Sequence, residues 1–415
     1  MFKKNCLLIM GLFCSVSAMK AQTSLSVQLS SEVKQNSAPV VIDLKPYGDV
    51  RAANVVIDGR EIVSQLDDLN GDGINDELAF LVDMNRKSTK KAIVKLLYDE
   101  QQKNYPSRTY AEIVLRNPKI KEKNRHDIYL NSISIDSETK NPYNVLHHHG
   151  VAFENELIAM RIYMDKRQTI DLYGKFHKGL ELKDTQFYTS KEQKQQGYGD
   201  DVLWVGNSFG LGAFRGWDGK QPSMIENVKS RKQHILSQGP VRTIVEVEDC
   251  GWSIMPGERP VSMTLRYTLY AGRRDFQVNV LFNRDVSNHT FSTGIINVKG
   301  SKELTNHKGL RGCWGTDWPA ADTLNWKRET VGLGILLPKG SSFTEIPANK
   351  DNYAFTLKMN REYTYWLTYT SANEEFGYHS ADEWFDYLKH WEKEMENPVR
   401  IEKMSTTPAL IQQPK

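Results

Sequence analysis

Beyond its first 21 residues the sequence contains no long apolar run, and cysteine is scarce. No later segment approaches the roughly 20 apolar residues that a membrane helix needs. Of the four cysteines, only Cys250 and Cys313 lie beyond residue 21. One disulfide or two free thiols would fit them, because sequence alone cannot place the two side chains together. We therefore expect no membrane span and at most one disulfide.

An excess of charge of one sign is also missing. The chain has 54 Lys and Arg against 51 Asp and Glu, and the excess equals the three lysines of the first 21 residues. Nucleic acid is therefore not an expected partner. The sequence has no phosphate loop, dinucleotide fingerprint, Gly-x-Ser-x-Gly elbow or Cys-x-x-Cys pair, which argues against nucleotide, NAD and serine-hydrolase chemistry. We expect no organic cofactor.

Residues 1–21 have the layout of a cleavable secretory signal. Lys3 and Lys4 precede an apolar run over residues 6–18, and small residues follow up to Ala21. The run is too short to span a bilayer. We predict a secreted, periplasmic protein, with anchoring at the cell surface as the alternative.

The remaining sequence predicts a mainly β protein. Short runs of alternating apolar residues separated by Gly, Asn, Asp and Pro are typical of antiparallel strands. Residues 22–118 are predicted to form a small N-terminal β domain, closed by the charged segment 117–125. Residues 261–269 and 276–282 predict a long hairpin within a large antiparallel β-sandwich over residues 119–398.

One helix is predicted near the C-terminus. Ser380 is a capping residue, and Trp384, Leu388 and Trp391 recur at the spacing of one helical face. Residues 399–415 are polar, and we predict a tail there that is loose from residue 405 onward.

A loop in the N-terminal domain resembles a calcium-binding loop. Its oxygen ligands at positions 1, 3, 5 and 9 would be Asp68, Asn70, Asp72 and Asp76. Gly73 stands at the turn position, but position 12 is Ala79 and not the usual Glu. Structural Ca²⁺ is therefore one reading, and an Asn/Asp/Gly-rich hairpin turn is the other.

Three adjacent histidines, at positions 147–149, are the strongest catalytic candidates. In an extended chain His147 and His149 point to one side and His148 to the other, so this segment could hold a metal or supply a general acid or base. Arg161 and Arg167 follow and could bind a carboxylate through paired hydrogen bonds. The alternative is that these are polar loop residues and solvated surface charges.

Aromatic and acidic residues keep sugar chemistry in view. Trp314, Asp317 and Trp318 lie in a segment bounded by Gly and Pro, and indole faces suit the apolar faces of sugar rings. Glu154 and Glu156 would place two carboxyls roughly 6 to 7 Å apart on one side of a strand. That separation overlaps the separations that glycosidases use.

Several segments together resemble a known family. They are residues 147–176, 199–203, 216–219 (Gly-Trp-Asp-Gly), 239–242 (Gly-Pro-Val-Arg), 267–272 and 312–319 (Gly-Cys-Trp-Gly-Thr-Asp-Trp-Pro). They resemble the secreted Bacteroidota family filed as domain of unknown function 4861, over nearly the whole chain beyond residue 21. The resemblance implies a place among glycan-utilisation enzymes, beside unsaturated-uronate hydrolases and polysaccharide lyases, with oligosaccharide dehydration as one related activity. The strands around residues 267–282 also look like a galactose-mutarotase-type supersandwich.

The leading hypothesis is a carbon–oxygen lyase that acts on uronic-acid-containing oligosaccharides by β-elimination or loss of water. Such a reaction needs a cation at the carboxylate, a base for the carbon-bound proton and an acid for the leaving oxygen. The candidates for the cation are Arg161, Arg167 and Arg215. The candidates for the base are His148, His149 and His234, and those for the acid are Tyr188 and Tyr198. Trp217, Trp314, Asp317 and Trp318 would contact the sugar. Two alternatives remain: a glycoside hydrolase using Glu154 and Glu156, and a noncatalytic glycan-binding protein.

Overall fold

The computed structural model describes residues 22–320, 322–324 and 326–407. The predicted signal and the end of the predicted tail lie outside the described residues. None of the helices in these ranges combines the length and the apolarity that a bilayer crossing requires.

Within these ranges the chain forms 28 strands and three α-helices. The first strands are β1 (Gln22–Ser31), β2 (Gln35–Asp43), β3 (Ala52–Ile57), β4 (Arg60–Ile62), β5 (Ser64–Asp67), β6 (Glu77–Met84) and β7 (Ser88–Leu97). Next come β8 (Thr109–Leu115), β9 (Ile128–Leu130), β10 (Ser132–Asp136), β11 (Gly150–Asn155), β12 (Ala159–Tyr163), β13 (Ile170–Gly174), α1 (Leu182–Thr185), α2 (Lys191–Gln195) and β14 (Asp200–Asp201).

The second half continues with β15 (Arg215–Trp217), β16 (Pro222–Ser223), β17 (Ser230–Ser237), β18 (Arg242–Trp252), β19 (Val261–Tyr270), β20 (Asp275–Phe282), β21 (Phe291–Ile296) and β22 (Lys302–Thr305). The last elements are β23 (Leu310–Asp317), β24 (Glu329–Leu336), β25 (Phe343–Ile346), β26 (Asn352–Leu357), β27 (Glu362–Ser371), α3 (Ala381–Glu396) and β28 (Arg400–Thr407). Short 3-10 helices occupy Lys45–Tyr47 and Pro142–Asn144.

Two sheets make a small N-terminal sandwich. One has the strand order β28-β1-β7-β3-β4 and the other β2-β6-β5. Alternate residues of β1, namely Leu25, Val27 and Leu29, point into a shared core because side chains alternate along a strand. The core excludes water between the two sheets and stabilises this domain.

Three further sheets form the large body, which is the predicted antiparallel supersandwich. A nine-stranded sheet with the order β10-β17-β18-β19-β20-β27-β24-β23-β22 packs against a six-stranded sheet, β14-β13-β12-β11-β8-β9, and a five-stranded sheet, β16-β15-β21-β26-β25. One continuous apolar core joins all three. The predicted hairpin is β19 and β20, which pair from Met263 with Phe282 to Leu269 with Phe276.

The predicted C-terminal helix is α3, and its cap is as expected. The Ser380 hydroxyl accepts a hydrogen bond from the Glu383 amide, which satisfies one free donor of the first turn. Trp384 and Leu388 pack on β23 and β24, where glycines let the helix approach closely. A Cβ at Gly332 would lie 2.8 Å from the Trp384 ring, and one at Gly312 would lie 2.3 Å from Leu388.

The N-terminal sandwich is joined to the large body by a buried polar contact. Arg242 in β18 pairs with Asp67 and Glu77, each at 2.6 Å. The Gln65 side chain accepts from the Val241 and Arg242 amides at 2.9 and 3.1 Å. Because Asp67 and Glu77 flank the predicted calcium loop, the two ends of that loop are anchored to the large body.

Two predicted segments belong to different sheets than the sequence indicated. Strand β8, predicted in the N-terminal domain, pairs with β11, so the six-stranded sheet begins at Thr109. The predicted tail contains β28, which pairs with β1 from Ser30 with Arg400 to Ser24 with Thr407. Both differences arise because the pairing partner of each strand, β11 for β8 and β1 for β28, lies far away in the sequence, where local pattern does not reveal it. Cys250 and Cys313 are both free thiols.

Candidate functional site

The six-stranded sheet has one apolar face and one polar face, and both are buried. In β11 and β12, Val151, Phe153, Met160 and Ile162 point into the main core. The side-chain period of a strand is two residues, so the opposite face of these strands carries the charged Glu154 and Arg161 beside the small Ala152 and Ala159. Helix α1 and the segment after it pack over this second face through Leu182 and Phe187. Charged groups are thereby enclosed in a low-dielectric setting, where their interactions are strong.

Arg161 is the centre of the polar face. Its Nε and Nη2 atoms donate to Asp171 Oδ2 at 3.0 and 2.6 Å, and Nη2 also donates to Asp201 Oδ2 at 3.0 Å. Its Nη1 donates to the Tyr188 hydroxyl oxygen at 3.0 Å. One guanidinium thus faces two carboxylates. Burial, together with the charge of Asp171, raises the pKa of Asp201 well above its ordinary value although Arg161 opposes the shift.

Tyr188 and His149 form a hydrogen-bonded pair with a defined proton position. His149 Nδ1 lies 2.9 Å from the Tyr143 carbonyl oxygen, which can only accept, so Nδ1 carries the proton of the neutral ring. His149 Nε2 must then accept the bond from the Tyr188 hydroxyl at 2.9 Å. The Tyr188 oxygen in turn accepts from Arg161. The three side chains therefore make a directed chain from guanidinium to phenol to imidazole.

The histidines of this segment are neutral over the physiological range. Burial lowers the pKa of His149 to about 3, and the neighbouring Arg161 guanidinium adds to the effect. Burial likewise lowers the pKa of His148 and of His147 to about 3. Burial raises the pKa of the Tyr188 phenol, and Arg161 offsets part of that rise. The neutral imidazole therefore accepts the Tyr188 hydrogen bond at Nε2 and orients the phenol, while its low pKa makes it a weak base.

The backbone around the pair is held in sparsely populated conformations. His149 has φ +74°, and the consecutive residues Gln186 and Phe187 before Tyr188 have φ +46° and +68°. Such angles are unfavourable for residues with a Cβ, and they persist only where surrounding contacts hold them. Gln186 supplies such contacts, since its side chain donates to the His126 carbonyl at 2.6 Å and accepts from the His126 amide at 3.0 Å. Strain of this kind is common at functional sites.

His148 lies behind the pair and is sealed from solvent. Its Nε2 is 3.1 Å from Glu112 Oε1, and neither side chain has exposed surface. Burial raises the pKa of Glu112 to about 8. The His147 ring lies against the His126 ring, with the centroids 4.1 Å apart and the planes tilted by 31°. Among the described residues no group of three or more His, Cys, Asp or Glu side chains is placed to hold a metal ion.

Arg167 is a cation of this region that reaches solvent, as is Lys123, whose Nζ lies 5.9 Å from the centroid of the Tyr188 ring. The Arg167 guanidinium lies over the Tyr143 and Tyr163 rings, 4.7 and 4.8 Å from their centroids. Asp165 pairs with Arg167 at 2.6 Å. The Arg167 side chain is 20% exposed, whereas that of Arg161 is 4% exposed. Tyr143 also stacks on His149, with centroids 3.6 Å apart. Arg167 is therefore linked through one aromatic ring to the Tyr188–His149 pair.

The predicted glutamate pair does not face a common opening. Glu154 has no exposed side-chain surface, pairs with Lys175 at 2.6 Å, and accepts from the Glu181 and Leu182 amides at 2.7 to 2.9 Å. Burial raises its pKa even though Lys175 and these amides oppose the shift. Glu156 lies beyond the end of β11 and pairs with Arg108. These two carboxyls therefore have separate structural partners.

The other predicted site residues lie in several places. His234 is in β17 of the nine-stranded sheet, across from Glu246, and is not part of the Arg161 cluster. Tyr198 lines a cavity of about 640 Å³ with His126 and Tyr129, and its hydroxyl donates to Asp184 at 3.1 Å. His234 and Tyr198 therefore do not belong to the chain of hydrogen bonds at Arg161.

The predicted tryptophans do not join the histidines. Trp314 is in strand β23, not a loop, and packs against the α3 cluster on the far side of the nine-stranded sheet. Trp217 is in β15, paired with Pro222. Trp318 follows Asp317, whose carboxylate accepts from the Trp318 amide at 2.8 Å. Arg215 and Asp317 both line a second cavity, of about 910 Å³.

The predicted calcium loop is closed by its own side chains. Asp68 accepts from the Gly71 and Gly73 amides at 2.7 and 2.8 Å, and Asp76 accepts from the Leu69 amide at 2.8 Å. Asn70 and Asp72 each accept from the amide two residues later. Partial desolvation by itself would raise the pKa of Asp68, but the hydrogen bonds from the backbone amides of Gly73 and Gly71 outweigh that effect, so the pKa is lowered. These bonds are those of Asx-type turns.

The comparisons with known proteins assign a family. Residues 27–401 match the model described as "Domain of unknown function (DUF4861)". The chain belongs to this family. A search of curated proteins gave no match.

Two solved structures are similar to the chain at a low level. One is an alpha-mannosidase from Enterococcus faecalis V583, and the other is a protein in the glycosyl hydrolase family 38 from Enterococcus faecalis. Each matches with 10% sequence identity and a TM-score of 0.46 and covers 93% of this chain. The chain spans about half of those proteins, 46% and 47%. A likeness at this level does not assign an activity.

Sequence reasoning did not single out several residues that build the site. Asp171 and Glu112 are buried partners of Arg161 and His148, and the only signal was a carboxylate inside an otherwise apolar strand. Tyr143 supplies both the carbonyl and the ring that orient His149. Trp204 is 56% exposed beside the second cavity.

Proposed function

We propose that this protein is a carbon–oxygen lyase that acts on uronic-acid-containing oligosaccharides and that Tyr188 is its proton-transfer group. The observation that carries the proposal is the directed chain from Arg161 to Tyr188 to His149. Tyr188 is half-buried, whereas Arg161 is buried and saturated by Asp171 and Asp201. His149 is half-buried as well, so substrate can approach at Tyr188 or His149 but not at Arg161, and of these two Tyr188 is the one that also contacts Arg161.

The chemistry follows from the roles that the atoms can take. In one concerted step the Tyr188 hydroxyl proton shifts toward His149 Nε2 while the Tyr188 oxygen accepts the proton from the carbon next to the uronate carboxyl, so that His149, whose pKa is about 3, never holds the proton as a separate cation. The electrons of that carbon–hydrogen bond form the carbon–carbon double bond as the carbon–oxygen bond breaks. The leaving oxygen takes a proton back from the Tyr188–His149 pair, so the pair is regenerated. The net change is loss of an alcohol or of water from the sugar.

Two cations divide the electrostatic work. Arg161 stabilises the Tyr188 phenolate, because its Nη1 already donates to that oxygen. Arg167 is the group that binds the substrate carboxylate, since it keeps exposed surface and lies over Tyr143. A carboxylate held by a cation makes the neighbouring carbon–hydrogen bond more acidic, which lowers the barrier to elimination.

The test is a product assay with two tyrosine variants. The protein is incubated with a panel of uronate oligosaccharides, with and without prior lyase digestion, and products are read by mass spectrometry and by absorbance of the new double bond. Tyr188→Phe and His149→Ala should each slow elimination at least ~100-fold, as for a lost general acid or base. Tyr198→Phe removes an equivalent hydroxyl in the neighbouring cavity and should retain near wild-type turnover. Full activity of Tyr188→Phe, or products that have gained water, would refute the proposal.

A further inference from the structure

The loop from Asp201 to Ser208 connects the Tyr188 site with the second cavity. At one end Asp201 accepts from Arg161 at 3.0 Å, and the Leu203 amide donates to Asp201 at 3.2 Å. Further along, the Gly206 carbonyl faces Arg167, and the Asn207 and Ser208 carbonyls accept from Arg215 at 2.8 and 2.6 Å. The same short segment therefore borders both regions.

Trp204 stands in the middle of this loop and is the exposed aromatic of the second cavity. More than half of its surface, 56%, is open to solvent, although its neighbours Leu203 and Val205 are buried at 5% and 4%. Because Trp204 stands beside a cavity, its exposed indole offers a flat apolar face that a ligand in the cavity could cover. Trp204 is three positions after Asp201, so the two Cα atoms lie within about 11 Å.

The lining of the cavity is polar and carries an excess of positive charge. Six of the 18 lining residues carry amide or hydroxyl side chains, including Asn207, Gln221 and Asn297, and these can hydrogen-bond the hydroxyls of a sugar. Three cations line it, Arg215, Lys299 and Lys350, against two carboxylates, Asp317 and Asp351.

Arg215 adds a buried charge that has no acidic partner at bonding distance among its hydrogen bonds. All four of these bonds go to uncharged oxygens, those of Arg167, Asn207, Thr169 and Ser208. The residue is 1% exposed, so its charge acts on the cavity through a medium that screens it poorly. The charge of Asp165 also acts on Arg215, but Asp165 is itself paired with Arg167, so the Arg215 charge is only partly compensated and favours a further anion nearby.

We propose that the cavity beside Trp204 binds a further carboxylate-bearing sugar residue of the same oligosaccharide that reacts at Tyr188. This inference rests on the proposed function and extends it. The Trp204 indole supplies the stacking surface, the amides meet sugar hydroxyls, and the positive lining holds the carboxylate. The site then prefers oligomers that carry more than one uronate over single uronates.

The test is equilibrium binding, which needs no turnover. Oligomers of galacturonate, glucuronate, mannuronate and guluronate are titrated by calorimetry into the protein and into Trp204→Ala, Trp204→Phe and Lys299→Gln. At least one series should bind, and Trp204→Ala should weaken it about 10-fold, as for loss of a buried aromatic anchor. Trp204→Phe should recover part of the affinity. Tyr129→Ala, an exposed aromatic of the other cavity, is the matched control and should bind as the wild type does.

Charge recognition is tested with the same oligomers after reduction of their carboxyls to alcohols. Reduced oligomers should bind to the wild type about 10-fold more weakly than the native oligomers. In Lys299→Gln the affinities for native and reduced oligomers should lie closer together. Unchanged affinity of Trp204→Ala, binding of none of the four series, or equal binding of reduced oligomers would each overturn the inference. Failure of the proposed function shows separately, as an active Tyr188→Phe whose oligomer binding still depends on Trp204.

Discussion

The buried pair of Lys175 and Glu154 tests whether Glu154 is a structural or a catalytic carboxylate. Neither side chain has exposed surface, and the Nζ to Oε2 distance is 2.6 Å. Lys175 also donates to the Asn155 carbonyl at 2.8 Å, and Glu154 accepts the first amides of α1. The pair thus fixes the chain that covers the polar face of the six-stranded sheet. A structural role predicts a loss of stability when either charge is removed alone.

The magnitude follows from leaving one buried charge unpaired. Removing one partner of such a pair typically costs about 3–5 kcal/mol. Lys175→Met should fall near the lower end, about 3 kcal/mol, because the Glu154 carboxyl can take up a proton when its partner is lost. At about 2 °C per kcal/mol for a large chain, Tm should drop by roughly 6 °C. The double variant Lys175→Met with Glu154→Gln should recover part of this loss, since no charge remains unpaired.

Thermal and urea unfolding measure this effect, with turnover measured on the protein that remains folded. The control is Lys389→Met, which breaks the ion pair of Lys389 with Asp386. Both side chains are exposed, at 55% and 68%, so this variant should change the free energy of unfolding by less than about 0.5 kcal/mol. We expect folded Glu154→Gln to keep its turnover. Normal melting with abolished turnover in Glu154→Gln would refute the reasoning and favour a glycoside hydrolase.

Four further outcomes are expected. Burial lowers the pKa of His147, His148 and His149 to about 3, so between pH 3 and 6.5 the unfolded chain binds more protons than the folded protein. The free energy of unfolding should therefore fall as the pH drops through that range. A flat profile of unfolding free energy against pH would contradict this expectation. For the same reason turnover should show no acid limb near pH 6.5. If the loop at Asp68 binds calcium, a chelator should lower Tm while folded protein keeps its turnover, whereas identical melting curves leave only the turn. Trp384→Ala should cost about 3–5 kcal/mol in urea unfolding, and a loss below 1 kcal/mol would mean that α3 does not depend on this contact.

The sequence predicted the elements better than their partners. Alternation in residues 261–282 predicted the hairpin of β19 and β20, and the spacing of Trp384, Leu388 and Trp391 predicted α3 with its Ser380 cap. These are local patterns, and each is visible within one turn or one strand. The sequence did not predict the sheet to which β8 belongs or the strand β28 in the predicted tail. Their pairing partners, β11 and β1, lie far away in the chain.

The candidate site shows the same division. The sequence named His149, Arg161 and Tyr188 as candidates from their chemistry, but it could not rank them against His234 or Tyr198. The contacts that distinguish them join residues 27 to 40 positions apart, as in Arg161 with Tyr188 and with Asp201. No local period encodes such contacts.

By itself the sequence determined the β class, the capped C-terminal helix and the residue types that uronate chemistry would need. Those features depend on side-chain periodicity and on the intrinsic chemistry of single residues. Only the tertiary structure decided that Arg161 is saturated, that Glu154 is paired with Lys175, and that His149 Nε2 is free to accept from Tyr188. These properties depend on which faces are buried and on which partners meet there, because burial and hydrogen bonding set the charge state of each group.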